Sequence, residues 1–227
     1  MPTVLITGAN RGLGLEFAHQ YAAHGWRVIA TCRDPKAAGE LAGLKGDVEL
    51  APLDVTDTDA IAQLAGRLDG VRIDLLLLNA GIHLQKRAAM ADMDYGDWAR
   101  ELDVNTISPL KLAAAFTPHV AGSQLKQIVA ISSGAGSTSR TKVGDDYAYR
   151  SSKAGLNAVM KILSVELAPK EITVVSIGPG HTVTDMGGPE ARYTAEDSVT
   201  RVRGVIAGLS FADNGRYISR DGEDIPW

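Results

Sequence analysis

The chain predicts a doubly wound α/β fold, with one parallel sheet of about seven strands covered by helices on both faces. Three observations lead there. Short apolar, β-branched runs alternate with amphipathic stretches along all 227 residues, the pattern of βαβ units. The run Ile73-Asp-Leu-Leu-Leu-Leu78 is nearly continuous, as in a strand buried on both sides. The first strand passes directly into a glycine-rich turn that opens a helix, and in such folds ligands sit beyond the carboxyl ends of the strands.

The expected strands are Thr3–Thr7, Arg27–Thr31, Val48–Ala51, Ile73–Asn79, Gln127–Ser132, Ile172–Ile177 and Gly215–Ser219. Between them the 3.6-residue period predicts helices over about Leu13–His24, Asp57–Leu68, Tyr95–Pro118, Ala148–Leu167 and Ala195–Leu209. No repeat, low-complexity tract or linker divides the chain, so residues 1–227 read as one domain. Composition is ordinary for a globular protein, with 45% apolar and 22% charged residues. The net charge of −4 argues against a nucleic-acid surface. The single cysteine, Cys32, excludes an internal disulfide, and the five histidines lack metal-ligand spacing, so no metal is expected. The N-terminus shows no signal-peptide pattern and no apolar run is long enough for a bilayer, which predicts a cytoplasmic protein with no membrane contact.

The turn after the first strand reads Thr7-Gly-Ala-Asn-Arg-Gly-Leu-Gly14. Its glycines let backbone N–H groups approach a pyrophosphate at a helix N-terminus, which makes the fold Rossmann-type and the turn a candidate dinucleotide cradle. The candidate contacts are Gly8, Asn10, Arg11, Gly12, Leu13 and Gly14.

After the second strand, Cys32-Arg33-Asp34 lies where the adenosine ribose would be read. Asp34, about 20 residues beyond Gly14, favours NAD by counting. However, the slot immediately after the strand is Cys32, and Arg33 follows with a planar fork suited to a 2′-phosphate. Arg11 offers a second positive group, and Asp34 before Pro35 reads as a helix cap. The preferred cofactor is therefore NADP(H), with NAD(H) the alternative.

Farther along, Tyr147-Ala-Tyr-Arg-Ser-Ser-Lys153 places Tyr149 and Lys153 four apart, on one helix face, with Tyr147 on another. A solvated tyrosine titrates near about 10, and a neighbouring ammonium favours its phenolate. Reaching about pH 7 requires roughly 4 kcal/mol. Ser132 and Ser133 end the fifth strand on opposite faces, and either can steady a developing alkoxide.

These motifs together resemble the short-chain dehydrogenase/reductase family, in order along nearly the whole chain: the T-G-x3-G-x-G turn, Asp54-Val55, Asn79-Ala80-Gly81, Asn105, Ser133, Tyr149-x3-Lys153 and Pro179-Gly180. Within the family, Tyr147–Lys153, Thr184-Asp-Met-Gly-Gly188 and Asp221-Gly…Pro226-Trp227 are similar to Sniffer-type carbonyl reductases and C-factor-like proteins. The resemblance selects Ser133 over Ser132 and implies catalytic roles for Ser133, Tyr149, Lys153 and Asn105, the last holding a water that links Lys153 to solvent. It implies that Asp54 and Val55 meet the adenine, and that Asn79, Ala80 and Gly81 approach a ribose. Pro179, Gly180, Thr182 and Thr184 would lie under the nicotinamide amide, although Thr182 stands where an apolar residue is usual. It further implies hydride transfer between NADP(H) and a small carbonyl or secondary alcohol. The alternative is a C-factor-like regulatory protein that acts through protein contacts.

The sixteen-residue gap from Ser133 to Tyr149 exceeds the family's usual one and leaves a polar loop, Ser139–Asp146, beside the site. Residues 185–198 are expected to form a substrate lid, with Met186, Tyr193, Leu84 and Trp98 as candidate pocket walls. His181 reads as a structural or solvated loop residue. The resemblance also implies pairing of the two long helices into a homodimer or homotetramer, with Ala113, Ala114 and Ala158 facing outward, against a monomeric alternative.

Overall fold

Seven parallel strands form a single sheet in the order β3-β2-β1-β4-β5-β6-β7, in a computed structural model that describes residues 1–227. The strands are β1 (Thr3–Ile6), β2 (Arg27–Cys32), β3 (Val48–Pro52), β4 (Leu75–Leu78), β5 (Gln127–Ile131), β6 (Thr173–Gly178) and β7 (Tyr217–Ser219). Pairing is in regular register, as in Leu5↔Ile29 and Leu5↔Leu76. The order reverses between β1 and β4, and there the strand ends open a crevice.

Strand alternation divides the apolar residues between two cores. Val4, Ile6, Leu75 and Leu77 point into one, with Phe17, Val199 and Val202. Leu5, Leu76 and Leu78 point into the other, with Ile61, Phe116 and Leu156. Both faces being dry explains why Leu75–Leu78 is an unbroken aliphatic run.

The covering helices are α1 (Gly12–Ala23), α2 (Thr58–Arg67), α3 (Tyr95–Leu102), α4 (Ser108–Ala121), α5 (Tyr147–Glu166) and α6 (Ala195–Ala207). Three carry side-chain caps: Asp57 accepts from the Asp59 and Ala60 N–H groups, Asp94 from Gly96 and Asp97, and Thr194 from Asp197. The first turns of α1 and α5 have none, and both lie at the crevice.

The sequence predicts one helix over Tyr95–Pro118, and here the structure differs. A π-turn, Asp103–Ile107, separates α3 from α4, a one-residue insertion typical of functional sites. Ala113, expected outward, is fully buried in the core, while Ala114 and Ala158 are exposed. No helix is long and apolar enough to cross a membrane.

Candidate active site

The crevice is a cavity of about 1100 Å³. The turn after β1 supplies Gly8, Asn10, Arg11, Gly12, Leu13 and Gly14 to its wall. Gly8 and Gly12 have φ of 65° and 54°, where only glycine is unstrained. A Cβ on Gly14 would stand 2.1 Å from the Gly8 carbonyl oxygen and 2.6 Å from Asn79 Nδ2. With no side-chain cap on α1 and no acid in its first turn, its N–H groups remain available to an anion. The residues thus fit a dinucleotide pyrophosphate.

Arg33 lines the cavity beside Cys32 and Asp54. Asp34 does not line it. Its carboxylate accepts from the Lys36 N–H at 2.9 Å and caps the short turn Pro35–Ala37. Asp54 accepts from the Thr56 N–H and hydroxyl at 3.0 and 2.8 Å. The backbone bond from Thr56 holds its carboxyl below the usual range, and Arg33 contributes further. Val55 lines the same wall. Arg11 reaches across the mouth to Asp185, 3.3 Å away, rather than toward Arg33.

Asn79, Ala80 and Gly81 follow β4 along the cavity. The Asn79 amide nitrogen donates to the Thr7 and Gly8 carbonyls at 2.9 and 3.2 Å and braces the glycine turn, while the residue also lines the cavity.

Ser133, Tyr149 and Lys153 come together on the facing wall. Ser132 is buried and donates to Asn157 Oδ1 at 2.6 Å. Ser133 Oγ accepts from the Ala135 N–H at 3.1 Å. Tyr147 is exposed on the other side of α5 and does not reach the cavity. Gly136 makes this approach: a Cβ there would meet the Lys153 backbone at 2.8 Å.

Two expected roles in this group rest on a geometry that spacing does not show. First, Lys153 Nζ lies 5.9 Å from the Tyr149 ring centroid and donates to the Ile131 carbonyl at 3.0 Å. Burial pushes the Tyr149 phenol up to about 12, and the Ser133 hydroxyl pulls it only part of the way back. Glu101 and Asp146 add to the rise. Burial takes the Lys153 ammonium down to about 8, against an opposing pull from Glu101. Lys153 is thus held at the Ile131 carbonyl rather than at the phenol oxygen, and burial is the dominant influence on the phenol. Second, Asn105 is fully buried and does not line the cavity. Its Oδ1 accepts from the Ile82 N–H, and its Nδ2 donates to the Ile82 carbonyl and to Ser152 Oγ. Both amide protons are thus engaged in holding the segment after β4, while Oδ1 keeps one lone pair on the side of Gly81 and Lys153.

Pro179, Gly180, Thr182 and Thr184 follow β6 on the cavity floor. Gly180 has φ of 81°, and its Cα faces the Tyr193 ring, which a Cβ would meet at 2.9 Å. The expected lid overlaps α6, because Thr194 caps that helix and starts it at Ala195. The excursion closes on itself at its base, where Val183 N–H donates to the Tyr193 carbonyl and Tyr193 N–H to His181. Of the candidate walls, only Met186 lines the cavity. Tyr193 packs against Arg220, Trp98 donates to Ser151 Oγ, and Leu84 is exposed. His181 is exposed on the wall and its Nε2 lies 2.9 Å from the Gly187 carbonyl.

Residues not anticipated from the sequence also meet here. His83 and Asp146 line the cavity, and the fully buried Glu101 accepts from the Leu84 N–H at 2.6 Å. The available signals were the place of His83 two residues past Gly81 and of Asp146 at the end of the polar loop.

The fold, the glycine cradle and the Ser–Tyr–Lys wall define a dinucleotide-binding oxidoreductase class, and comparison with known proteins agrees. Residues 2–194 match the short chain dehydrogenase family, and the chain belongs to it. C-signal of Myxococcus xanthus is 37% identical over 155 residues, 68% of this chain and 93% of that protein. Among solved structures, carbonyl reductase Sniffer of Drosophila melanogaster superposes with a TM-score of 0.93 at 31% identity, over the whole of both chains. The NADPH-bound carbonyl reductase from chicken fatty liver gives 0.93 at 34% identity, covering 100% of this chain and 94% of that one.

Proposed function

We propose that the protein is an NADP(H)-preferring carbonyl reductase acting on a small ketone or aldehyde, or on the corresponding alcohol in reverse. The observation that carries this is the meeting of Ser133, Tyr149 and Lys153 on one wall of a cavity whose opposite wall is the glycine turn. NADPH-bound and carbonyl-reducing relatives that align with the whole chain support it.

The glycine turn and the N-terminus of α1 would hold the pyrophosphate, Arg33 the 2′-phosphate, and Pro179 through Thr184 the nicotinamide end. When bound, NADPH supplies the hydride. The Tyr149 hydroxyl donates its proton to the carbonyl oxygen, and Ser133 donates a hydrogen bond that steadies the charge forming there. Lys153, fixed by the Ile131 carbonyl, keeps an ammonium behind the phenol below about pH 8. Its charge favours the phenolate left after proton transfer. Asn105 and Glu101 act at one remove, fixing the segment 82–85 that carries the wall past Gly81.

Similarity to C-signal favours one second reading, a dinucleotide-binding regulator whose output is a protein contact. The test is decay of NADPH absorbance with a panel of ketones, aldehydes and quinones, in the wild type and in Tyr149→Phe. The enzyme reading expects turnover that falls by about 10²–10⁴-fold in the variant, with NADPH affinity retained. Tight NADPH binding without turnover on any substrate would favour the regulator.

A further inference from the structure

Beside Tyr149 lies a second polar assembly. The His83 imidazole is stacked on the phenol ring, with centroids 4.3 Å apart and planes inclined by 20°. Its Nε2 is 3.1 Å from Asp146 Oδ1, and the two side chains are 12% and 19% exposed. Both residues line the cavity.

The chain goes to some length to hold this ring. Asn105 binds both backbone groups of Ile82, immediately before it. Glu101 takes the N–H groups of Leu84 and Gln85, immediately after. Asp146 also accepts from the Arg87 N–H, and Arg87 and Asp146 both sit in left-handed backbone, with φ of 59° and 53°. Strain of this kind persists only where the surroundings over-determine it, and it gathers at functional sites.

An imidazole this far from solvent needs an acceptor for its N–H, and Asp146 supplies it. Asp146 as carboxylate can only accept, so Nε2 carries the proton, and in the neutral ring Nδ1 is left as an acceptor. No protein group bonds Nδ1, and it is not sealed from solvent. If Tyr149 protonates the reacting carbonyl, the imidazole stacked 4.3 Å from its ring lies on the same cavity wall, within reach of a substituent near the reacting carbon.

The geometry points to His83 as a specificity-determining residue: its free Nδ1 accepts a hydrogen bond from a hydroxyl on the carbon next to the carbonyl, and the site prefers α-hydroxy ketones and aldehydes. This rests on the carbonyl-reductase reading above.

Three substrates separate the possibilities with the wild-type protein and NADPH: 1-phenylethanone, 2-hydroxy-1-phenylethanone and 2-methoxy-1-phenylethanone. The methoxy ketone keeps the electron withdrawal of the hydroxy ketone but cannot donate. The expected result is a kcat/KM for the hydroxy ketone about 3- to 10-fold above the methoxy ketone, the size of one net hydrogen bond. In His83→Phe, which keeps a stacking ring, that ratio collapses to near one. Equal rates for the two in the wild type, or an unchanged ratio in the variant, overturn the assignment of His83 while leaving the reductase reading intact. Turnover of none of the three by a protein that reduces other ketones, aldehydes or quinones of the panel overturns the assignment of His83 alone, whereas no turnover across the whole panel by an NADPH-binding protein overturns both.

Discussion

Replacing Lys153 with methionine is expected to stabilise the fold while abolishing turnover. Lys153 is 4% exposed, and burial lowers its ammonium to about 8. The gap from about 10.4 for a solvated lysine amounts to about 3 kcal/mol of penalty for carrying the charge at neutral pH. Methionine fills a similar volume without charge, but it leaves the Ile131 carbonyl without its donor, a loss of about 1 kcal/mol. The balance is about 2 kcal/mol in favour of the variant, or about 4–8 °C in Tm for a chain of this length. The sign of the pH dependence follows from proton binding. Between about pH 8 and pH 10 the unfolded chain holds more protons on Lys153 than the folded chain does, so wild-type stability rises with pH there. The penalty is fully present below about pH 8. Urea unfolding of both proteins at pH 7 and pH 10 therefore shows the variant's advantage at pH 7 and its shrinkage at pH 10. A variant less stable than the wild type at pH 7, or an advantage that does not change with pH, refutes the account of Lys153 as a charge buried at a cost for the sake of catalysis.

Other outcomes follow from the same site. Carbonyl reduction at limiting NADPH is expected to decline as pH rises through about 8, where Lys153 loses its charge, with no separate loss from Tyr149, which burial keeps protonated up to about 12; a pH–rate profile checks both. Arg33→Ala is expected to raise the KM for NADPH by about 10- to 100-fold, the worth of a hydrogen bond to a charged group, and to leave NADH little changed; an unmoved NADPH preference assigns the 2′-phosphate elsewhere. Gly14→Ala, whose Cβ meets the Gly8 carbonyl at 2.1 Å, is expected to lose NADPH binding and about 1–3 kcal/mol of stability. Gly204→Ala, in α6 with nothing within 4 Å, is instead expected to gain about 0.5–1 kcal/mol, measured by thermal melts.

Much of this architecture can be read from the sequence because the sheet is buried on both sides. Leu75–Leu78 has no polar position to blur its assignment, and the glycine spacing before Gly14 leaves no tolerable substitute. The four-residue step from Tyr149 to Lys153 correctly predicts a shared helix face, but spacing along one helix cannot show that Ile131, on β5, captures the ammonium. The same limit hides the His83–Asp146 pair, whose members are 63 residues apart. Glu101 stays hidden for another reason. On an amphipathic helix a glutamate reads as a solvated face, and only the backbone N–H groups of Leu84 and Gln85 explain its burial. Nor can periodicity reveal the π-turn at Asp103–Ile107, since one extra residue shifts a helical pattern without erasing it.

That extra residue acts as a gear between two tasks. It offsets α4 from α3 by about 100° of rotation, so that Glu101 grips the strand-end segment above the sheet while Leu112 and Phe116 seat in the core below. A straight helix could serve one of these alignments but not both. Shortening the turn by a single residue would therefore force a choice between a well-packed interior and a correctly aimed wall.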